Sequence, residues 1–194
     1  MPTMSEYSDE ELVEACLEDT VYFRVLVERY EGKLRTYIYR IGKLGPEDSE
    51  DILQEVFLKV YQNLNSFDSS LKLSSWLYRI THNETMAYFR RRRARPHGHS
   101  VDLDEDVIAN LASETDVLKE SMAAYDAKRL REAVEQLSQE YYEVIILQFF
   151  EHKTYDEISD ILAIPPGTVA TRLNRAKARI KHYMNTNGYV YGYA

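Results

Sequence analysis

The sequence predicts an all-α protein built as two small helical domains joined by an acidic linker. Three observations predict it. Gly (7) and Pro (5) are scarce among the 194 residues, while Leu, Glu, Arg, Ala and Tyr are plentiful, a mixture that favours helix. Apolar residues recur at spacings of three and four along successive segments, the period of one helical face. Two segments open on capping boxes, Ser8-Asp9-Glu10-Glu11 and Thr154-Tyr155-Asp156-Glu157, a signature of helix N-termini.

Taken in order, the first box opens a short helix to Leu17. A second helix is expected from Thr20 to Ile41, with Phe23, Leu26, Val27, Tyr30, Leu34, Tyr37, Ile38 and Ile41 on one face, before Gly42, Gly45 and Pro46 break the chain. The third, Pro46 to Asn63, carries a wide stripe of Ile52, Leu53, Val56, Phe57, Val60, Tyr61 and Leu64. A polar loop, Asn65 to Ser70, leads to a fourth helix, for which Ser74 or Ser75 is the expected cap. It carries Trp76, Leu77, Ile80, Asn83 and Phe89 into an arginine run and ends at Pro96-His97-Gly98-His99. Residues 97–126 read as a linker with one helical turn near Val107–Leu111. Past Asp126, Leu130, Ala133, Val134 and Leu137 make a stripe. Ser138 is the expected cap of a helix reaching Phe150, within which Val144 to Leu147 looks buried. The second capping box opens a helix to Leu162, Ala163-Ile164-Pro165-Pro166 is a tight connection, and Pro166 suits the first turn of a last helix. That helix turns Val169, Leu173, Ala176, Ile180 and Met184 inward. The tail Asn185–Ala194 is expected to be mobile, touching a partner or nothing.

At 44% hydrophobic and 29% charged the chain can bury a core. The single Cys16 excludes an internal disulfide and any multi-cysteine metal site. The acidic start is unlike a signal peptide, and no apolar run is long enough to span a bilayer. A cytoplasmic protein without membrane insertion is expected. The net charge of −8 conceals an uneven distribution: −7 over residues 1–20, +5 over 21–99, −7 over 100–127 and +1 over 128–194. Two basic blocks stand out, Arg90, Arg91, Arg92, Arg93 and Arg95, then Arg172, Arg175, Lys177, Arg179 and Lys181. Such blocks supply local phosphate contacts even in an acidic chain.

Three groups of residues carry the functional reading. At 100° per residue, Asp51, Gln54, Glu55, Leu58 and Gln62 lie opposite the apolar stripe of the third helix. Leu58 reads either as a stray exposed leucine or as part of a protein-docking face. Phe67, Trp76, Tyr78, Tyr88 and Phe89 lie close in sequence to the arginines. That mixture suits single-stranded DNA, where bases stack and phosphates pair, although Trp76, Leu77 and Ile80 read more readily as core. The two last helices form a helix-turn-helix, whose second helix enters the major groove. With Val169 inward, Thr168, Thr171, Asn174, Arg175 and Ala178 point outward, flanked by Arg172, Lys177 and Arg179. Arg can grip guanine and Asn adenine bidentately; a basic helix closing a bundle is the plainer alternative.

These residues carry a resemblance. Asp51-Ile52-Leu53-Gln54-Glu55-Val56-Phe57-Leu58-Lys59-Val60 is similar to the core-polymerase-binding motif of bacterial extracytoplasmic-function (ECF) sigma factors of the sigma-70 family. Ser75-Trp76-Leu77-Tyr78-Arg79-Ile80 with His82-Asn83 resembles their promoter-melting segment. Tyr155-Asp156-Glu157-Ile158, Ile164-Pro165-Pro166-Gly167-Thr168-Val169 and Arg172-Leu173-Asn174-Arg175-Ala176 resemble their C-terminal helix-turn-helix. The motifs occur in family order and span Ser8–Tyr183.

The resemblance implies sigma region 2 over residues 1–96, a linker over 97–126, sigma region 4 over 127–184 and a tail over 185–194. It implies a factor that binds core RNA polymerase and directs promoter-specific initiation. Asp51, Gln54, Glu55, Leu58 and Gln62 would dock on the polymerase. Phe67, Asp68, Ser69, Ser70 and Lys72 would hold a flipped base of the −10 element, with Trp76, Arg79, Asn83, Arg90, Arg91, Arg92 and Arg93 on loop or duplex. Thr168, Thr171, Arg172, Asn174, Arg175, Lys177 and Arg179 would read the −35 element. An anti-sigma factor is the implied further partner. Ala87 stands where the family commonly has an acid, and Ala170 where it commonly has Lys or Arg, which removes one phosphate contact.

Two other readings compete. A stand-alone helix-turn-helix repressor accounts for the C-terminal domain but gives Leu58 and the aromatic-arginine segment no purpose. An enzyme finds little support. His82, His97, His99, His152 and His182 have no recognised metal spacing, and no Gly-rich phosphate loop or nucleophile elbow occurs. No catalytic residue, metal, cofactor or small-molecule substrate is expected.

Overall fold

The computed structural model describes residues 7–94 and 129–186, and every regular element among them is helical. The expected helix end at Pro96–His99, Arg95, the linker 97–126 with its turn at Val107–Leu111, and the tail past Thr186 lie outside the described residues.

Helix α1 (Asp9–Glu18) opens on the expected capping box. The Glu11 amide donates to Ser8 Oγ at 3.1 Å, and the Ser8 amide donates to Glu11 Oε2 at 2.7 Å. The next helix starts later than its apolar spacing suggests. The Asp19 carboxylate accepts the Val21 amide at 2.9 Å and holds Thr20–Tyr22 as a 3₁₀ turn, so α2 runs Phe23–Gly42. It buries Leu26, Tyr30, Leu34, Tyr37, Ile38 and Ile41. Arg29 ties it to α1 through Asp9 at 3.0 Å. Its C-cap is Lys43, left-handed at φ 48°, rather than either glycine flanking it.

Helix α3 (Pro46–Asn63) has Pro46 in its first turn, where a missing amide costs nothing. Ile52, Leu53, Val56 and Val60 are buried against α2 and α4, and Leu64 follows in a 3₁₀ turn, Leu64–Ser66. Tyr61 departs from the expected stripe. It is exposed and meets Phe23 edge-on at 5.2 Å between ring centroids, because a helical stripe this wide outruns the surface available to bury it.

Helix α4 (Leu73–Ala94) begins before both serines proposed to cap it. Leu73 is buried and anchors the start, which puts Ser74 and Ser75 inside the first turn, with Ser75 buried. A buried apolar anchor has outweighed the capping preference. Leu77 and Tyr78 are core residues, whereas Trp76 and Ile80 are only half-buried.

In the second module α5 is described over residues 129–135. Ala133 and Val134 are buried, but Leu130 is exposed, against expectation. Ser138 occupies the cap position of α6 (Gln139–Ile145) without a side-chain bond. The backbone then widens into a π turn, Ile146–Phe150, so the expected helix to Phe150 is two pieces. Val144, Ile145, Ile146 and Leu147 are buried as their run predicts, and the wider turn leaves Phe149 and Phe150 exposed. The second capping box forms: Thr154 accepts from Glu157 at 3.3 Å and its amide donates back at 2.8 Å, opening α7 (Tyr155–Leu162). Ala163 ends α7 in left-handed backbone at φ 53°, and Ser159 Oγ donates to the Ile164 carbonyl at 2.6 Å. Helix α8 (Pro166–Thr186) buries Val169, Leu173, Ala176 and Met184 and half-buries Ile180. The second module rests on the first mainly through α7 against α4.

Two stability outcomes follow. Left-handed backbone costs an L-residue about 1–2 kcal/mol, and glycine gives part of that back in unfolded-state entropy. Ala163→Gly should therefore stabilise the protein by about 0.5–1 kcal/mol in urea unfolding. Leu173→Ala, which empties a fully buried site, should cost about 2–5 kcal/mol.

Candidate nucleic-acid and docking interfaces

The first candidate surface is the outer face of α3. Packing of Ile52, Leu53, Val56 and Val60 fixes the helix rotation, and Asp51, Gln54, Glu55, Leu58 and Gln62 all point to solvent. Leu58 keeps 51% of its surface exposed in that polar setting. Lys59 lies beside them but is committed, its ammonium 2.6 Å from the buried Glu84 of α4.

The second surface is the loop after α3 with the outer face of α4. Asp68 Oδ1 accepts the Ser70 amide at 2.9 Å, and the Leu71 amide donates to the Asp68 carbonyl at 3.0 Å. The Ser70 donation holds the Asp68 carboxyl below its ordinary range. Side chain and backbone thus lock a tight turn (Asp68 to Leu71) that leaves Asp68, Ser69 and Ser70 exposed. Phe67 and Trp76 are half-buried on each other, centroids 5.1 Å apart. Trp76, read as core or as support for loop or DNA, packs both on Phe67 and against the hydrophobic core. Arg79 and Asn83 are exposed further along α4, as are Arg90, Arg91, Arg92 and Arg93. Arg92 reaches Asp48 of α3 at 3.3 Å and Tyr88 Oη at 3.2 Å, so part of the arginine repulsion is relieved within the protein. Ala87 is half-buried.

The third surface is the helix-turn-helix of α7 and α8. Thr171, Asn174, Arg175, Lys177 and Arg179 are exposed, while Thr168 and Arg172 are half-buried. Arg172 approaches Glu140 at 3.3 Å, the Arg179 guanidinium lies over Tyr141 at 4.7 Å, and Lys177 lies over Phe149 at 5.4 Å. Their stems are braced against α6 and the π turn. Asn174 and Arg175 form the exposed centre. Ala170 is half-buried beside them.

One cluster went unseen in the sequence. Glu151, directly after the π turn, accepts from Arg40 at 2.6 Å and from Tyr78 Oη at 2.7 Å. Lys153 is buried, 4.3 Å from the Tyr78 ring centroid and 3.2 Å from Ser74 Oγ. Burial lowers the Lys153 pKa, an effect that Glu157 and Glu151 partly oppose. Tyr142 Oη donates to the Arg40 carbonyl at 2.8 Å, and burial raises its pKa to about 12. His82 Nε2 stands 3.3 Å from Glu143, but neither ring nitrogen makes a well-formed hydrogen bond. Lys72, a loop residue, pairs with Glu157 of α7 at 3.3 Å. Long-range polar partners of this kind leave no periodic trace. The only local signal was the run Tyr141 to Phe150, too apolar to end on a solvated Glu151.

Among the described residues no cluster of three or more His, Cys, Asp or Glu side chains offers a metal site, and no helix is long and apolar enough to cross a membrane. A helix-turn-helix with a basic outer face, joined to a helical module bearing an aromatic-arginine segment and a helix with an exposed leucine on its polar side, is the pattern of a DNA-binding transcription factor. Comparison with known proteins makes the class specific. Residues 26–95 match the family Sigma-70 region 2, and residues 127–180 match Sigma-70, region 4. The ECF RNA polymerase sigma-E factor of Escherichia coli K12 is 33% identical over 186 residues, covering 91% of this chain and 95% of that protein. The ECF RNA polymerase sigma factor SigW of Bacillus subtilis is 29% identical over 167 residues, covering 82% and 87%. The sigma factor RpoE of Bartonella quintana, solved in complex with the anti-sigma factor NepR, shares the fold with a TM-score of 0.63 at 21% identity, covering 84% of this chain and 96% of that one. The chain belongs to the ECF sigma factors of the sigma-70 family, DNA-binding regulators that direct transcription initiation.

The cap of α7 carries a pH dependence. Burial works to raise the Glu157 pKa, but hydrogen bonds from Thr154 and the nearby Lys72 outweigh it, and the folded value lies below the ordinary 4.5. A depressed carboxylate contributes stability that is present above its unfolded pKa and is lost as pH falls through the folded one. Urea midpoints should therefore fall as pH drops below about 4.5. Glu157→Gln, which keeps an acceptor but cannot titrate, should flatten that part of the profile.

Proposed function

We propose how the three surfaces divide the work of initiation. The outer face of α3, namely Asp51, Gln54, Glu55, Leu58 and Gln62, docks on core RNA polymerase. The observation that carries this reading is Leu58, half-exposed amid polar residues on a helix whose opposite side is buried. A large apolar side chain centred in a polar face suits a docking contact, since fully burying a leucine is worth about 1.5–3 kcal/mol.

The Phe67–Leu73 loop engages a base of the −10 element. Its tight turn presents the Ser69 and Ser70 side chains and an ionised Asp68, while Phe67 and Trp76 brace the loop from below. Stacking of one base supplies about 1–3 kcal/mol, comparable to the few kcal/mol of extruding it. Arg79, Asn83 and Arg90 to Arg93 follow the adjoining backbone. The outer face of α8 reads the −35 element: Asn174 and Arg175 supply base contacts, and Thr168, Thr171, Arg172, Lys177 and Arg179 fix its register on the duplex. With Ala170 in place of a cation, this helix forms one phosphate contact fewer.

The protein works by placing polymerase and DNA. The bond-making belongs to the polymerase, so we infer no enzymatic activity for the chain itself, and a cytoplasmic location where that polymerase operates. An anti-sigma factor is the expected regulatory partner, by analogy with the relative solved in complex with NepR. A stand-alone repressor is disfavoured, because it leaves the α3 face without a role.

Reconstitution with core polymerase is the direct test. Wild-type protein should support initiation from a matching promoter, and failure to bind core polymerase would refute the reading. Leu58→Glu should weaken core binding at least tenfold, about 1.4 kcal/mol, with little change in unfolding midpoint, as surface substitutions usually stay within about 0.5 kcal/mol. Arg175→Ala should cost the holoenzyme about 1–3 kcal/mol at its −35 element and relax base preference there. Unchanged selectivity would remove Arg175 from the reading set.

A further inference from the structure

Helix α8 carries Arg172, Arg175, Lys177, Arg179 and Lys181 between Pro166 and Thr186, and no Asp or Glu. Arg172 is the only Lys or Arg in its first two turns, Pro166–Leu173, the end of a recognition helix that reaches base edges. A helix with charge of one sign attracts any phosphate backbone, whatever its sequence. Here the opposing charge comes from another element. Glu140 of α6 places Oε2 3.3 Å from Arg172 Nη2, with the Arg172 and Glu140 side chains 25% and 49% exposed. The next residue, Tyr141, carries the Arg179 guanidinium over its ring at 4.7 Å. Arg172 and Arg179 lie about two helical turns apart and so share one edge of α8. Consecutive residues of α6 therefore meet that edge at two points.

Stability does not account for the Glu140–Arg172 pair. Water and salt screen a pair this exposed, and its contribution to folding is small. An acid in the first turn of α6 does favour its own helix, but that benefit does not require the carboxylate to reach Arg172. What the pair fixes is position. A free arginine swings on a long stem and finds a phosphate in many settings of the helix. A held one offers its guanidinium in one place. The guanidinium has five N–H donors in a rigid fork, so Arg172 can keep Glu140 on one side and donate to a phosphate from another. Ala170, about 200° around the helix from Arg172, adds no second cation to these turns. The placement of Arg172 thus decides how this end of α8 meets the duplex.

We propose that Glu140 is a positioning residue of the −35 reader. It holds Arg172 where a phosphate stands only when Asn174 and Arg175 are in register with their bases. It withholds the same cation from DNA of other sequence. Glu140 acts through Arg172 and contacts no base itself. This role rests on the assignment of α8 to the −35 element under Proposed function. Sequence discrimination is gained at the expense of total affinity, since one phosphate contact is kept from the wrong DNA.

The test uses reconstituted holoenzyme and two promoter duplexes, one with the −35 element intact and one with it scrambled, over a range of salt. Glu140→Gln should bind the scrambled duplex about threefold more tightly, within the range of an exposed ion pair. Its affinity for the intact duplex should stay within about twofold of wild type. Its salt dependence on the scrambled duplex should steepen by about one unit, the mark of one added phosphate contact. Glu140→Asp keeps the charge but is one methylene shorter, so it should follow Glu140→Gln. Adding Arg172→Gln to Glu140→Gln should abolish both changes. A purely structural role would move the urea midpoint of the free protein and leave the salt slope alone.

Unchanged discrimination and slope in Glu140→Gln would overturn the proposal. So would Glu140→Asp behaving as wild type, because repulsion of phosphate by charge, and not placement of Arg172, would then be the cause. A gain that survives the loss of Arg172 would overturn it as well. Arg175→Ala separates the two levels. If it relaxes discrimination and Glu140→Gln does not, only the positioning role fails. If Arg175→Ala leaves discrimination intact, the assignment of α8 to the −35 element fails with it.

Discussion

The described helices α3 and α8 each have one dry side, and the need to bury it decides which way the candidate residues they carry point. Ile52, Leu53, Val56 and Val60 leave α3 one rotational setting against α2 and α4. At about 1.5–3 kcal/mol for each large apolar side chain buried, turning the helix to hide Leu58 would expose several residues to cover one. Val169, Leu173 and Ala176 constrain α8 in the same way. The outward settings of Thr171, Asn174 and Arg175 are therefore fixed by buried side chains on the opposite side of the helix.

This is also why much of the molecule was legible beforehand. Helical periodicity encodes the dry side, so the rotation of α3 and α8 followed from spacing alone. Capping boxes are local hydrogen-bond patterns, and both formed where their residues stood. The failures occurred where a distant or competing contact decided the outcome. Asp19 captured an amide and delayed α2. Leu73 was anchored in the core and drew α4 past its expected caps. The helix after Ser138 widened into a π turn, which no three-or-four spacing signals. Lys43, His152 and Ala163 adopt left-handed backbone, a choice that apolar spacing does not encode. In the candidate surfaces, the exposure of the α3 face and of the loop was readable. The pairing of Lys72 with Glu157 and of Arg172 with Glu140 was not, because those partners come from other elements.

The interior of each module and the seam between modules follow different physics. The interiors are apolar and make the helices insensitive to single polar contacts. The seam joins cations of one module to carboxylates of the other, with aromatic rings from both. Attraction between such groups is offset by the water they surrender, so the seam sets a geometry without dominating stability.

The π turn at Ile146–Phe150 has a wider consequence. Its backbone hydrogen bonds reach five residues along the chain instead of four, and Glu151, which follows it directly, faces Arg40. The same irregularity bares Phe149 and Phe150 beside the cations of α8 and α2. One backbone irregularity thus sets contacts to α8 on one side and to α2 on the other. Insertions or deletions in that short stretch would retune communication along the chain, whereas length changes in the acidic strap would alter only reach.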